Sequence, residues 1–317
     1  MIPAHWHAPQ APVTTALAGE RPAQWPLGPC WATRIDHTGG QALFLSRQRP
    51  MGGSLTVVGA MVNDVRGLVD GMGDLAIGRA RLEERAVRLS GPGRRAYPVP
   101  PEYVRFRIRL GEELGQQRGQ ELPADFRPWR RLLEGVDQDW TPDFAALEQE
   151  RHRPALLEKT GALVHAAEFS DWWFAPEDAP EVDAFLREVD RILEGLPDQG
   201  RRSVTEDIAP PPDLDLLSET SVLTVVWPLA EEATRQVEGL FDEHLMRLMP
   251  REVADRYRDR LLNMAYLVGL VDQPTYSSLI ATAAWGLHPD RGFPPAHHPF
   301  LRALLRKTVE HHSLGLE

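Results

Sequence analysis

The alternation of apolar runs and turns is clearest in residues 30–62 of this 317-residue chain. Three short runs, Cys30–Asp36, Ala42–Arg47 and Ser54–Val62, are separated by turns that contain glycine. Runs of this length and composition are typical of an antiparallel β-meander. Because a small sheet needs a cover on one face, we expect the helices that follow to pack against it.

Helical spacing dominates the rest of the chain, where apolar residues recur every three or four positions, as in Val253, Tyr257 and Leu261. The helices predicted from this spacing cover residues 76–90, 101–117, 126–133, 142–168, 181–196, 228–248, 251–271, 274–287 and 298–312. Residues 63–75 contain three glycines and three aspartates, and this composition predicts an irregular loop.

These elements together predict an α+β fold, in which a small antiparallel β-meander covered by helices is followed by an all-α helical-hairpin bundle. A helical-repeat array is the alternative for the second part. The predicted domains are a flexible Pro-rich arm at 1–29, an α+β domain at 30–168, an acidic helix and linker at 169–216, and a helical domain at 217–317.

Cysteine content and hydropathy indicate a cytoplasmic protein. The chain has one cysteine, Cys30, so no intramolecular disulfide can form, which is usual in a reducing compartment. Residues 1–29 lack the basic cluster and apolar core of a signal peptide. The apolar runs are too short to cross a bilayer, and we expect no membrane partner.

Charge is distributed unevenly along the chain. Residues 1–150 are neutral, whereas residues 151–317 carry the whole net charge of −11. The exception in the neutral half is Arg79–Arg109, which contains nine arginines and three glutamates. Arginines interleaved with Tyr103 and Phe106 could bind phosphates and stack on bases. The nucleic-acid-binding candidates are Arg94, Arg95, Arg105, Arg107 and Arg109; the alternative is a solvated surface.

A second candidate site consists of Asp64, Asp70 and Asp74, three aspartates that follow the predicted meander. Carboxylates at a sheet edge could hold Mg²⁺ and orient a water molecule for phosphodiester hydrolysis. Aspartate and glycine are also ordinary turn residues, which is the competing interpretation. The spacing matches no established nuclease scheme.

Histidines and Cys30 are weaker candidates. His298 and His311 lie about 20 Å apart along one predicted helix, so they cannot share a zinc ion. Cys30 could act as a nucleophile only beside a cation or a histidine, and a buried, unreactive thiol is the alternative.

Sequence motifs for P-loops, dinucleotide turns, H-E-x-x-H zinc sites and G-x-S-x-G nucleophiles are absent from the sequence. We therefore expect no cofactor and favour a protein that is not an enzyme.

Trp172, Trp173 and Phe174 begin an acidic strip at 171–219 that contains fourteen acidic residues and four arginines. Aromatic side chains within a polar rim are common at protein interfaces, so these three residues are candidate partner-binding residues. Three successive aromatics cannot all face one core, although two of them could.

Two stretches resemble uncharacterised bacterial proteins over less than half of the chain. They are the meander followed by Val65–Asp70, and the stretch Glu121–Leu133. The resemblance implies no activity and assigns no functional residue.

The leading hypothesis is a non-catalytic interaction or assembly subunit of a bacterial multiprotein system, with a protein partner or a second copy of the chain bound to it. It rests on the missing catalytic motifs, the uneven charge and the aromatic residues of the acidic strip. The alternatives are a metal-dependent phosphodiesterase or nuclease that uses the three aspartates, and a nucleic-acid-binding subunit that uses the arginines.

Overall fold

The computed structural model describes residues 20–50, 53–91, 95–149, 153–174, 181–195 and 231–313, and it has the predicted α+β fold. The chain divides into two compact units. The first unit comprises Met1–Phe144 and Tyr266–Pro274, and the second comprises Ala145–Ala265 and Thr275–Glu317. The predicted domain boundaries stay a prediction.

The first unit is built on an antiparallel sheet of five strands in the order β4-β3-β2-β1-β5. The strands are β1 (Cys30–Ala32), β2 (Gly40–Gln48), β3 (Leu55–Asn63), β4 (Gly67–Ile77) and β5 (Tyr97–Val99). The first three are the strands of the predicted meander. The sheet gains one strand on each side from segments that sequence patterns did not identify.

Strand β4 corrects the prediction of an irregular loop at residues 63–75. Two of its glycines, Gly71 and Gly73, reflect close packing, because the sheet face beneath them is occupied by aromatic side chains. A Cβ on Gly71 would lie 2.4 Å from the Cβ of Phe126, and a Cβ on Gly73 would lie 1.8 Å from the ring of Trp129. Real Cβ atoms do not come so close, so only glycine fits at these two strand positions.

Helices cover both faces of the sheet. Helix α1 (Arg79–Ser90) packs through Leu82 and Ala86 against Phe44 and Met72 on one face. On the other face lie helix α2 (Pro101–Gln117) and the 3₁₀ helix Arg127–Leu133. Successive strand residues point to opposite faces, so the two sides have separate cores.

Arg47 fixes the segment before β1 and the 3₁₀ helix Arg127–Leu133 to the end of the sheet. It is 3% exposed, and its guanidinium donates to four backbone carbonyls. The acceptors and distances are Ala23 at 3.1 Å, Trp25 at 2.8 Å, Leu132 at 2.7 Å and Glu134 at 2.6 Å. Residues 20–29 of the predicted flexible arm are therefore packed against the body, with Trp25 buried.

The second unit is helical in its described part. Its helices are α3 (Phe144–Glu148), α4 (Arg153–Leu157), α5 (Val182–Glu194), α6 (Glu231–Leu248), α7 (Arg251–Gly269), α8 (Pro274–Gly286) and α9 (Pro299–Ser313). The first residue of α3, the last four residues of α7 and the first residue of α8 belong to the first unit. From α5 onward these helices match the predicted ones to within a few residues. No described helix is long and apolar enough to span a bilayer.

The helix predicted at 142–168, for which Pro154 predicts a kink, is replaced among the described residues by short pieces that end in two 3₁₀ helices, Glu158–His165 and Ala167–Phe169. Lys307 stabilises the two 3₁₀ helices of this segment. Its ammonium group donates to the carbonyls of Val164 at 2.9 Å and Phe169 at 2.7 Å, which gives the ends of both 3₁₀ helices a charged partner.

Candidate functional site

The three candidate aspartates are used within the sheet and its turns. Asp64 lies beside Gly39, where a Cβ would meet its carboxylate. Asp70, which is 7% exposed, accepts the N–H of Gly71 at 2.8 Å. Asp74 accepts the N–H of Ala76 at 3.1 Å and lies 4.0 Å from Arg85. The carboxylates of Asp70 and Asp74 therefore each accept a backbone N–H of their own strand.

The structure does not bring these aspartates together around one point. Asp70 and Asp74 are four residues apart on β4, which separates them by about 13 Å. Among the residues that the structure describes, no three His, Cys, Asp or Glu side chains are close enough to hold a metal ion. The hypothesis of a metal site at Asp64, Asp70 and Asp74 thus stays a prediction without geometric support.

The arginine-rich stretch Arg79–Arg109 does not form one surface, since the sheet separates its two ends. Arg79, Arg81 and Arg88 are exposed on α1, whereas Arg105–Arg109 lie on α2 across the sheet. Arg95 is exposed between the two helices, and Arg94 lies outside the described residues. A nucleic acid following the whole stretch would have to contact both faces of the sheet.

Two of the three candidate arginines on α2 are paired with glutamates. Glu112, whose side chain is 11% exposed, accepts both Nε and Nη2 of Arg130, at 2.8 and 3.1 Å. Arg105 donates to the same carboxylate at 3.3 Å, and Arg109 donates to Glu113 at 2.9 Å. These charges are largely neutralised within the first unit.

Arg107, the third candidate on α2, is buried and joins a polar network on the sheet. Its Nε donates to Oε1 of Gln41 at 2.9 Å. The amide nitrogen of Gln41 donates to the Thr33 carbonyl at 2.9 Å and to the Tyr103 hydroxyl at 3.3 Å. Burial raises the pKa of Tyr103, so its phenol stays neutral. Sequence patterns missed this network because Gln41 and Arg107 are 66 positions apart.

The three aromatics of the acidic strip have different environments. Trp172 is 0% exposed and Phe174 is 1% exposed, so both belong to the core of the second unit. The ring of Trp172 contacts the rings of Phe169 at 4.8 Å and Tyr257 at 6.1 Å. Of the three candidate partner-binding residues, Trp173 alone is half-buried and so has side-chain surface available for a partner.

Trp173 lies over the end of α9, where several titratable groups gather. Its ring is stacked on the imidazole of His311 at 4.3 Å and an angle of 19°. The neighbouring His312 is hydrogen-bonded to Asp190 of α5 at 2.9 Å. Burial raises the pKa of Glu310 to about 7, and burial together with Lys307 lowers that of His311. The Glu310 carboxyl, one position before His311 on α9, can thus change its charge near neutral pH.

Cys30 and His298 are buried groups without catalytic geometry. Burial raises the pKa of the Cys30 thiol to about 12, which keeps it protonated and unreactive. His298 is 0% exposed, and its Nε2 is hydrogen-bonded to the Ala283 carbonyl at 3.0 Å. Burial lowers its pKa to about 4, so the imidazole is neutral in the folded protein.

Acidification is expected to destabilise the folded protein through His298. The unfolded chain takes up this proton as the pH falls below 6.5, whereas the folded chain does so only at about 4. Stability that is fully present above pH 6.5 is therefore lost between pH 6.5 and 4, by roughly 3 kcal/mol. Glu310 contributes with the opposite sign, since its raised pKa costs stability as the pH rises from 4.5 to about 7.

Urea unfolding at a series of pH values, on wild type and His298→Gln, checks this expectation. The other titrating groups cancel in the difference between the two proteins, and a glutamine amide can still donate to the Ala283 carbonyl. The variant should show a shallower loss of stability below pH 6.5. Parallel curves for the two proteins would mean that His298 does not carry the effect.

Comparisons with known proteins found no matching family model, and no significant match to a curated protein or a solved structure.

Proposed function

We propose that the protein is a non-catalytic interaction or assembly subunit of a bacterial multiprotein system in the cytoplasm, and that the surface around Trp173 contacts its protein partner. The observation that supports this proposal is the difference in burial among three successive aromatic residues. Trp172 and Phe174 are buried, whereas Trp173 between them is half-buried.

The buried neighbours hold Trp173 in a fixed position. Trp172 is enclosed by rings that include Phe300 at 6.1 Å, and the N–H of Phe174 donates to Oγ1 of Thr308 at 3.0 Å. The stacked His311 orients the indole itself. A large aromatic side chain that is already ordered loses little conformational entropy on binding, and tryptophan is the residue type most enriched in interface hot spots.

Charge suggests what kind of partner this surface binds. The hydrogen bond from His312 to Asp190 brings a carboxylate of α5 to the end of α9. Glu181 and Asp183 are exposed near the start of α5, and residues 151–317 carry the whole net charge of −11. A basic protein surface would complement these charges and associate faster at low salt.

Affinity purification of the tagged protein from its own organism, at moderate salt, tests the proposal. Trp173→Ala should reduce the recovered partner by about tenfold or more, because a central aromatic anchor is lost. The matched control is Trp285→Ala, since Trp285 is also half-buried in the second unit, with Arg291 over its ring at 5.1 Å. This control should retain the partner.

Size-exclusion chromatography with light scattering separates a foreign partner from a second copy of the chain. A wild-type protein that is purified alone and is monomeric would contradict the proposal. Equal recovery with wild type and Trp173→Ala would place the interface elsewhere. The nuclease and nucleic-acid functions stay predictions, and no contact among the described residues favours either of them.

A further inference from the structure

Arg107 is a buried guanidinium with most of its donors unused. The residue is 7% exposed and forms one hydrogen bond, from Nε to Gln41. No acidic side chain in the described part of the chain forms an ion pair with it, in contrast to Arg105 and Arg109 on the same helix. A guanidinium has five N–H donors, so four are left for another group.

Arg47 shows how the same unit satisfies a buried arginine that has a structural role. Its Nε, Nη1 and Nη2 all donate to backbone carbonyls, and no terminal nitrogen is left over. Arg107 uses Nε alone. Its terminal nitrogens, Nη1 and Nη2, have no hydrogen-bond partner among the described residues, and neither is fully enclosed by protein atoms. Nη1 and Nη2 therefore keep some accessible surface although the residue as a whole is buried.

Gln41 orients the guanidinium but cannot itself bind a ligand. Both protons of its amide are used, by the Thr33 carbonyl and the Tyr103 hydroxyl, while its oxygen accepts Nε of Arg107. The bond at Nε fixes the plane of the guanidinium and leaves its outer edge, Nη1 and Nη2, for an incoming group. A donor pair ordered in advance costs little entropy on binding.

We infer that the outer edge of Arg107 binds a single carboxylate group, belonging to a small molecule or to a polypeptide. The planar fork of a guanidinium matches the two oxygens of a carboxylate in a bidentate pair. One positive charge among the neutral side chains of Gln41 and Tyr103 balances one negative charge, whereas a phosphate dianion would be left half-neutralised. A buried guanidinium without a counter-ion is costly, and the carboxylate offsets this cost.

This site lies in the first unit and does not depend on the surface around Trp173. Its test is calorimetric titration of the full chain with sodium acetate, with sodium chloride and inorganic phosphate at matched ionic strength as comparisons. Acetate should bind in preference to both. Arg107→Gln should lose the carboxylate preference, with affinity reduced at least about tenfold. Arg109→Gln is the matched control and should behave as wild type.

Further titrations identify the source of the carboxylate, and a second variant covers the case in which Arg107→Gln does not fold. A short peptide with a free C-terminal carboxylate is compared with its amidated form; tighter binding of the free form than of acetate points to a polypeptide. If Arg107→Gln does not fold, Arg107→Lys replaces it, and its compact ammonium should bind acetate more weakly than wild type. The inference is overturned by equal acetate binding in wild type and variant, by no binding of any carboxylate, or by preference for phosphate.

Discussion

Replacing Arg47 by methionine is expected to lower the free energy of unfolding by about 4 kcal/mol. The thioether occupies a similar volume but donates no hydrogen bond, so the carbonyls of Ala23, Trp25, Leu132 and Glu134 lose the donors they have in the native structure. Burial lowers the pKa of Arg47, which reflects the unfavourable desolvation that these carbonyls offset.

Arg49→Met is the matched control for this substitution. Arg49 is two residues further along, its side chain is 31% exposed, and it is paired with Glu20 at the surface. Loss of such a pair costs about 1 kcal/mol or less. Urea unfolding of both variants, followed by tryptophan fluorescence, measures the difference. Similar midpoints for the two variants would show that the four carbonyls find other donors.

Replacing Gly73 by alanine is expected to destabilise the protein by about 4 kcal/mol, which exceeds the usual cost of overpacking. The new Cβ would lie 1.8 to 2.4 Å from three ring atoms of Trp129. Trp129 is 1% exposed, so its ring cannot move aside without displacing the 3₁₀ helix that carries it. The strand or that helix must shift, and the core on this face must repack.

Gly78→Ala tests whether the loss of stability in Gly73→Ala comes from the contact between the new Cβ and the Trp129 ring. Gly78 precedes α1, has a φ of −75°, and no atom lies within 4 Å of a Cβ built on it. This control should change the stability by less than about 0.5 kcal/mol. Thermal unfolding of the two variants gives the comparison, and a Gly73→Ala protein as stable as the control would mean that the ring has room to move.

Local sequence patterns predicted the fold where local preferences and packing agree. Helix α2 has the predicted bounds of Pro101 and Gln117, since Pro101 suits a first turn and the apolar spacing is regular. Strand β4 was missed because glycine and aspartate are typical of turns. Gly71 and Gly73 are explained by Phe126 and Trp129, which are distant in sequence and pack directly against them.

In the candidate sites, sequence patterns likewise did not predict the role of each single side chain. Arg105, Arg107 and Arg109 look equivalent in sequence, yet two are paired with glutamates and one is buried beside Gln41. Residues at such spacing spread around a helix, so tertiary contacts decide the role of each. For Trp172 and Phe174, core packing was an open alternative, and both side chains are buried in the second unit.

The two edge strands of the sheet are each poorly suited to pair with a strand of another chain. Strand β5 has only three residues, and Pro98 at its centre has no N–H to offer another chain. Strand β4 is longer, but two register shifts interrupt its pairing, and the carboxylates of Asp70 and Asp74 occupy N–H groups of the strand itself. Both edges are therefore poor templates for the addition of a strand from another chain, which is the first step of cross-β growth.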